Sequence, residues 1–405
     1  MMLAGIMVFA QTKAKHMNPM VDLLAAKQVV VGVSYPSNRG GGGAPRGAAP
    51  AAAPTFDPPP PPAPAAGVPD VCGIVPTGPG EGEGRGGGGA ARGGPGGAPG
   101  APGAAGAARG GGGGGRGGAD PNAAPPVVLT NADLATKALA YKATDYLFGS
   151  MEGGVEGPLP AFTEFMKALG AAGVATKTPY QRLTHPVIMK APKIRDVAKA
   201  SWNISQELNT GISGLMFVGV ECAKEVQVGL AAMRFKSKGG TRLDNVGIAP
   251  TVWGLSDKDY REKADVWGLN PSGELVNWTI VESKKGLENV RSIAAVKGIG
   301  VLWPGAGSLG GVFTITKTDG TRGRDDVAWE NSIQQVLAAC KEFNVACGYP
   351  AGAQEKNADG TTNPGYIEFR MKQGFTVFVM QSFDDNAFKA VDIGRKAAGR
   401  PATNN

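Results

Sequence analysis

The fold class is most clearly visible in residues 275–311, which read LVNWTIVESKKGLENVRSIAAVKGIGVLWPGAGSLGG. The segment begins with an apolar run over 275–282, which predicts a buried strand that ends at Glu282. A helix is predicted to follow as far as Ile293, and residues 300–303 then predict the next strand. A strand, a helix and a second strand in this order form the repeating unit of a parallel α/β fold.

The same alternation continues on both sides of this segment. VVVGVSY at 29–35 is a continuous apolar run, as expected for a strand that is buried on both faces. Five more strands are predicted at residues 146–148, 186–190, 214–220, 345–348 and 375–380. The eight strands and the helices between them predict a closed (β/α)₈ barrel, the TIM barrel fold.

Capping signals predict where some of the helices begin. Asn131 or Asp133 is expected to cap the first helix after strand one, and Asn363 to cap a later helix opened by Pro364. In the helix predicted over 196–208, Val197 is expected to lie on the inward face.

A doubly wound open sheet is the main structural alternative. That fold would place a glycine-rich phosphate-binding loop directly after the first strand. The segment after Tyr35 is too long and too rich in proline to form such a turn. The sequence therefore favours the barrel.

Glycine and proline are concentrated in one insert. The chain has 405 residues with 64 Gly and 31 Pro, and most of the excess lies within residues 36–126. Such a composition cannot bury enough apolar surface to offset chain entropy, so we predict disorder there. The predicted organisation has five parts. A tail or signal remnant at 1–16 precedes the first barrel strand at 17–35 and the disordered insert at 36–126. The rest of the barrel follows at 127–398, and a second tail at 399–405.

A nucleic-acid partner is not favoured by the charge or by the insert. The net charge is +7, and the residues before Val127 include nine Lys and Arg against six Asp and Glu. The excess of positive charge is therefore spread over both parts of the chain, and neither is concentrated in basic residues. Arginines among glycine tracts are also typical of RGG-type RNA-binding segments. Those segments interleave aromatic residues for base stacking, whereas Phe56 is the only aromatic residue in the insert.

The cysteines and the N-terminal residues bear on the cellular compartment. Cys72, Cys222, Cys340 and Cys347 show no paired spacing, which predicts buried reduced thiols rather than a disulfide or zinc framework. LAGIMVFA at 3–10 is similar to the end of a secretory signal but lacks a positively charged start. A cytoplasmic location and export to the periplasm both stay open. No apolar run is long enough to span a bilayer as a helix.

Four segments carry a family resemblance. The block at 280–311 resembles the HpcH/HpaI aldolase family, the citrate lyase-like class II pyruvate aldolases, in its strand-ending Glu, its helix and its glycine-rich loop. DYLFGSME at 145–152, AMRFKSKGGTR at 232–242 and DYREKAD at 259–265 are similar to further segments of that family. The chain is identified as a divergent member.

The resemblance implies a metal-dependent carbon–carbon lyase. In that family a strand-end Glu and an Asp in the next loop hold a divalent metal, Mg²⁺ or Mn²⁺, which binds a 2-oxo acid such as pyruvate. The cation stabilises the negative charge that develops on the enolate oxygen. Glu282 stands at the position of the metal-binding Glu. The resemblance also implies a homo-oligomer.

Several family positions differ in this chain. Gly307 stands where the second metal ligand would be an Asp, and Gly153 where the catalytic His would follow Glu152. A Gln before the metal ligand is replaced by Ile280. The Arg that binds the substrate carboxylate corresponds to Lys190, which keeps the charge but loses the bidentate geometry.

The histidines and tryptophans are not expected to replace the family's missing His and Asp. His16 is expected in the tail and His185 before strand three, on the face opposite the active site. Core packing is the favoured role for Trp278 and Trp303, with lining of the cavity as the alternative.

We therefore predict a rearranged site at the mouth of the barrel. Glu282 and Glu221 are the predicted metal ligands, and Glu152 and Lys190 are the predicted catalytic residues. The residues predicted to bind the substrate are Lys190, Ala306, Gly307 and Ser308.

Three hypotheses about function follow from these observations. The first is a metal-dependent lyase that acts on a 2-oxo acid or a hydroxy-2-oxo acid. The second is a catalytically degenerate barrel that binds an acidic metabolite or partner. The third makes the insert the functional part and the barrel its scaffold.

Overall fold

The structure is a computed structural model that describes residues 16–38, 71–73 and 128–404. Most of the insert and the apolar N-terminal residues lie outside this part of the chain. The predictions of disorder, of an RNA-binding alternative and of a signal remnant therefore stay predictions.

Eight parallel strands close into a barrel in chain order, and the last strand pairs with the first, with Val377 opposite Val30. The predicted (β/α)₈ barrel is therefore confirmed. The strands are β1 Val30–Ser34, β2 Tyr146–Ser150, β3 Val187–Ala191, β4 Gly214–Phe217, β5 Val276–Val281, β6 Ile299–Pro304, β7 Ala346–Pro350 and β8 Val377–Met380.

Helices pack around the strands, and two short antiparallel hairpins lie outside the barrel. The hairpins pair Ala175–Thr176 with Arg182–Leu183 and Thr314–Thr316 with Arg322–Arg324. The helices are α1 Pro19–Ala25, α2 Asn131–Ala140, α3 Leu159–Ala171, α4 Val197–Leu208, α5 Ala223–Met233, α6 Ala249–Trp253, α7 Asp257–Lys263, α8 Lys284–Glu288, α9 Val290–Ala294, α10 Ala306–Val312, α11 Asp326–Phe343, α12 Ile367–Gln373 and α13 Asp385–Ala397.

Aromatic side chains fill the interior of the barrel. The rings of Trp278 and Trp303 stack with their centroids 5.3 Å apart, and Tyr146 meets Trp278 edge-on at 5.0 Å. Both tryptophans are buried, which confirms the predicted role in core packing. Residues of α1 belong to the same apolar cluster. The barrel is therefore a packed core, and the face left for a site is the one at the carboxyl ends of its strands.

Gly348 makes room for one of these rings. A Cβ atom at Gly348 would overlap the ring of Trp303, whereas one at Gly352 would meet nothing within 4 Å. We expect Gly348→Ala to lower the free energy of unfolding by about 1–3 kcal/mol or more, because an overpacked core must shift its rings or backbone. Gly352→Ala is the matched control, and denaturant unfolding monitored by tryptophan fluorescence is the measurement. Equal stability of the two variants would contradict this packing.

Three local predictions about helices were wrong. The first helix after β1 is capped by Thr130, whose hydroxyl accepts a hydrogen bond from the Asp133 amide at 3.2 Å, because the two residues form a reciprocal capping box. Val197 is 48% exposed rather than inward. Asn363 accepts a hydrogen bond from Gly365 in a tight turn, and the helix begins later, at Ile367.

The prediction of reduced thiols was also wrong. Cys72 is joined to Cys222 and Cys340 to Cys347 in disulfide bonds. The Cα atoms of the two pairs are 6.0 and 5.7 Å apart, within the range that a disulfide spans. The first pair is separated by 150 residues, so its proximity depends on the fold and not on local spacing.

None of the helices in the described ranges combines the length and the apolar character that a membrane span requires.

Candidate active site at the barrel mouth

Strand alternation brings a cation and a carboxylate to the mouth of the barrel. Ile188 in β3 and Ile280 in β5 both belong to the apolar cluster inside the barrel. Side chains two residues further along a strand point to the same side. The inner rim of the barrel therefore holds Lys190, at the end of β3, and Glu282, directly after β5. The apolar side chain of Val218, which follows β4, lies between these two strands.

The loop after β4 and the first turns of α10 hold the carboxylate of Glu282. Its Oε1 accepts a hydrogen bond from the Gly219 amide at 2.7 Å, and its Oε2 accepts one from the Ser308 hydroxyl at 2.7 Å. Gly219 has φ +59°, a backbone conformation that L side chains rarely adopt. A Cβ atom at Gly305 would overlap the Cβ of Glu282, so only glycine lets the loop after β6 come this close. Glycines on both sides therefore fix this carboxylate.

The two predicted catalytic residues are in contact. Lys190 Nζ lies 3.0 Å from Glu152 Oε2, and the two side chains are 20% and 36% exposed. The pairing follows from the register of the barrel, in which Ser150 of β2 lies opposite Lys190. Glu152, two residues beyond Ser150, reaches the ammonium group from the adjacent loop.

A second ion pair at the rim was not predicted. Lys193 Nζ lies 3.2 Å from Glu221 Oε2, so the loops after β3 and β4 are joined by opposite charges. The signal in the sequence was the position of Lys193, two residues beyond the end of a barrel strand. Its partner Glu221 could not be predicted from that position, because Glu221 lies on a different loop.

The carboxylates at the mouth do not form a preassembled magnesium or manganese site in the described part of the chain. These hard cations prefer several oxygen ligands, among them carboxylates that are free to bind. Each oxygen of Glu282 already accepts a protein hydrogen bond, while Glu152 and Glu221 each face a lysine. Across residues 16–38, 71–73 and 128–404, no three His, Cys, Asp or Glu side chains are grouped so that they could hold a metal ion. Metal binding by Glu282 and Glu221 stays a prediction.

Gly307 offers a direct experiment on metal binding. The position is exposed in the first turn of α10, and a Cβ atom there would meet nothing within 4 Å. We expect Gly307→Asp to fold with a change in stability within about 0.5 kcal/mol, since carboxylates are favourable near a helix N-terminus. The variant is expected to bind Mn²⁺ more tightly than the wild-type chain by isothermal titration calorimetry.

Gly311→Asp provides the control for this experiment. Gly311 lies in the last turn of α10, and a Cβ atom there would also meet nothing within 4 Å. Equal Mn²⁺ affinities for Gly307→Asp, Gly311→Asp and the wild-type chain would show that position 307 is not beside a metal-binding site.

Neither histidine is near the mouth. His185 lies before β3, as predicted, where burial lowers its pKa and its ring contacts the Tyr141 carbonyl at 3.1 Å. His16 is not part of a tail but is buried, with Nδ1 3.6 Å from Glu274 Oε1. It is held there because the amides of the next two residues donate to the Glu274 carboxylate, at 3.0 and 2.9 Å. Glu274 precedes β5, so this cluster lies at the opposite end of the barrel.

Comparison with known proteins identifies similar sequences. The sequence profile described as HpcH/HpaI aldolase/citrate lyase matches residues 128–373. The hydroxypyruvate/pyruvate aldolase of Paraburkholderia phytofirmans is 25% identical over 184 residues, which make up 44% of this chain and 61% of that relative. The match therefore spans about three fifths of the relative's length.

Two solved structures are similar as well. An HpcH/HpaI aldolase/citrate lyase family protein from Burkholderia cenocepacia has 22% identity and a TM-score of 0.45, covering 62% of this chain and 84% of that one. An HpcH/HpaI aldolase from Desulfitobacterium hafniense has 16% identity and a TM-score of 0.43, covering 68% and 92%. The family profile spans more than half of the chain, and the protein therefore belongs to the HpcH/HpaI aldolase/citrate lyase family.

Proposed function

We propose that the barrel mouth is the active site of a carbon–carbon lyase that acts on a 2-oxo acid, such as pyruvate, or on a hydroxy-2-oxo acid. The observation that carries this proposal is the placement of Lys190 and Glu282 at the carboxyl ends of β3 and β5, on the face where barrel enzymes hold their active sites. Membership of the family supports the reaction class. The relative from P. phytofirmans, named a hydroxypyruvate/pyruvate aldolase, supports the substrate class.

Lys190 would bind the carboxylate of the substrate. A charge-assisted hydrogen bond from its ammonium group is stronger than one between neutral groups. In the structure this ammonium faces Glu152. An incoming carboxylate would take that place and free Glu152 for proton transfer.

Glu152 would then act as the general base. In retro-aldol cleavage it takes the proton of the substrate hydroxyl, and the electrons of the breaking carbon–carbon bond move into the 2-oxo group. An aldehyde leaves, and the enolate that remains takes the proton back from Glu152 at carbon. The amides of Ala306, Gly307 and Ser308, which lack carbonyl partners within α10, would stabilise the enolate oxygen.

A second candidate is a barrel that binds an acidic metabolite or partner without turnover. Gly153 and Gly307 provide no side chain where the family resemblance implies a His and an Asp. Lys190 and Lys193 would still attract a carboxylate, with Glu152 and Glu221 as the partners to be displaced. This candidate predicts saturable binding of pyruvate and no reaction.

A turnover assay separates the two candidates. The purified full-length chain is incubated with pyruvate and an aldehyde such as glyoxylate, with Mg²⁺, with Mn²⁺ or with a chelator, and the aldol product is measured by chromatography. The proposal predicts product above the protein-free blank, and the metal arms test the Mg²⁺ or Mn²⁺ requirement separately. Binding without product would favour the second candidate, and neither binding nor product would contradict both. A homo-oligomer also stays a proposal, to be tested by light scattering.

A further inference from the structure

The disulfide between Cys72 and Cys222 lies at the rim of the candidate site. Cys222 directly follows Glu221, in the loop between β4 and α5, and its Cα is 6.0 Å from that of Cys72. This loop opens onto the same end of the barrel as Lys190 and Glu282. The bond therefore attaches residues 71–73 to the mouth of the barrel.

Residues 71–73 also contact the neighbouring loop. The Val71 amide donates a hydrogen bond to the Arg195 carbonyl at 3.1 Å. Arg195 lies in the loop between β3 and α4, which also carries Lys193. The segment thus connects the loops after β3 and β4, which the ion pair between Lys193 and Glu221 joins independently.

The loop after β4 in turn fixes Glu282. Gly219 lies three residues before Cys222, and its amide binds Glu282 Oε1 at 2.7 Å. The Val220 amide donates to the Ile280 carbonyl at 3.2 Å. A change in the freedom of this loop therefore acts directly on the hydrogen bond that positions the carboxylate.

The two disulfides differ in their exposure to solvent. Cys340 and Cys347 are each 2% exposed, whereas Cys72 and Cys222 are only half-buried. Thiol–disulfide exchange requires a thiolate to reach one of the sulfur atoms. An external dithiol can therefore attack the disulfide at the rim more readily than the one in the core.

We propose that Cys72–Cys222 is a redox-sensitive tether that holds the β4–α5 loop, and through Gly219 the carboxylate of Glu282, in place. Reduction by a dithiol breaks the sulfur–sulfur bond and delivers two electrons and two protons to form two thiols, while the dithiol becomes a disulfide. The freed loop then fluctuates more, and the Gly219 hydrogen bond opens more often. The consequence for catalysis rests on the proposed function, but the motion of the loop does not.

The tether also bears on the cellular compartment of the protein. Disulfides form and persist mainly in oxidising compartments. Export to the periplasm, one of the two locations that stay open, would therefore keep the tether oxidised. In a reducing compartment the rim would stay in its untethered form.

Differential alkylation and amide hydrogen exchange on the full-length chain test the tether. With increasing dithiothreitol, Cys72 and Cys222 are expected to become alkylated before Cys340 and Cys347. Exchange at the amides of residues 219–222 should then accelerate about tenfold, as a locally held segment becomes free to open. Cys72→Ser should show the fast exchange without reductant and no further response to it.

Cys340→Ser serves as the control, because it removes the other disulfide and should leave exchange at residues 219–222 unchanged. Alkylation of Cys340 and Cys347 first, or equal exchange at residues 219–222 in Cys72→Ser and the wild-type chain, would overturn the proposal. The turnover of Cys72→Ser is measured separately. A chain that shows the exchange effect but forms no aldol product would keep the tether and reject the lyase.

Discussion

Asp145→Asn is expected to lower the free energy of unfolding by about 3–5 kcal/mol. Asp145 is 3% exposed and lies directly before β2. Its Oδ2 accepts a hydrogen bond from the Val31 amide at 2.8 Å and another from Arg400 at 2.6 Å. Its Oδ1 lies 3.1 Å from Nη1 of the buried Arg395, whose pKa is lowered by burial.

The size of this effect follows from what the substitution leaves behind. Asn keeps the shape of the side chain but removes the charge, so two guanidinium groups lose their shared anionic partner. An uncompensated buried charge costs far more than the loss of an exposed ion pair. Arg400 also ties the C-terminal residues to the barrel through the Val29 carbonyl, so this end of the chain should detach first.

Asp326→Asn is the matched control for the stability measurement. Asp326 pairs with Arg324, but its side chain is 75% exposed, and we expect a loss of at most about 1 kcal/mol. Urea unfolding of both variants gives the comparison. A loss at Asp145 no larger than that at Asp326 would show that the buried cluster does not stabilise the barrel.

Lys190→Met is expected to reduce kcat/KM of the proposed lyase reaction by about 10²–10³-fold. The ammonium group is the only part of this side chain that can bind a substrate carboxylate, and Met keeps the apolar stem. Its loss also leaves Glu152 without the cation that lies 3.0 Å away. Both binding and proton transfer should suffer, so KM should rise and kcat should fall.

Two further variants make this prediction specific. Lys190→Arg restores the charge and adds a bidentate donor, so most of the activity should return. Lys167→Met removes a 51% exposed lysine that pairs with Glu164 on α3, and it should change neither kinetic constant. Full activity of Lys190→Met would place the carboxylate of the substrate elsewhere.

Much of the barrel could be predicted from the sequence because its signals are local. Each strand is a short apolar run, and the segment at 275–311 contains two of them with a helix between. The wrong prediction of the first helix cap concerned competition between neighbouring residues. Thr130 capped the helix in place of Asn131 because the reciprocal pair with Asp133 satisfies two backbone donors.

Those residues of the candidate site that lie at or next to a strand end could be predicted from the sequence, because the strand end determines their position. Lys190 and Glu152 lie at the ends of adjacent strands, and their contact follows from the register of β2 and β3. The attachment of Cys72 to Cys222 was not predictable, because it joins residues 150 positions apart, one of which lies within the predicted insert. The position of His16 was missed for the same reason, since its partner Glu274 is distant in sequence.

Exchange of the pyruvate methyl protons for deuterium, followed by proton NMR, tests the central claim most directly, because it reports enolate formation without any aldehyde partner. We predict that the wild-type chain accelerates the exchange above the protein-free rate and that Lys190→Met abolishes most of this acceleration, while Lys167→Met does not. No acceleration by the wild-type chain, with or without Mg²⁺ or Mn²⁺, would contradict the assignment of the barrel mouth as a 2-oxo-acid lyase site.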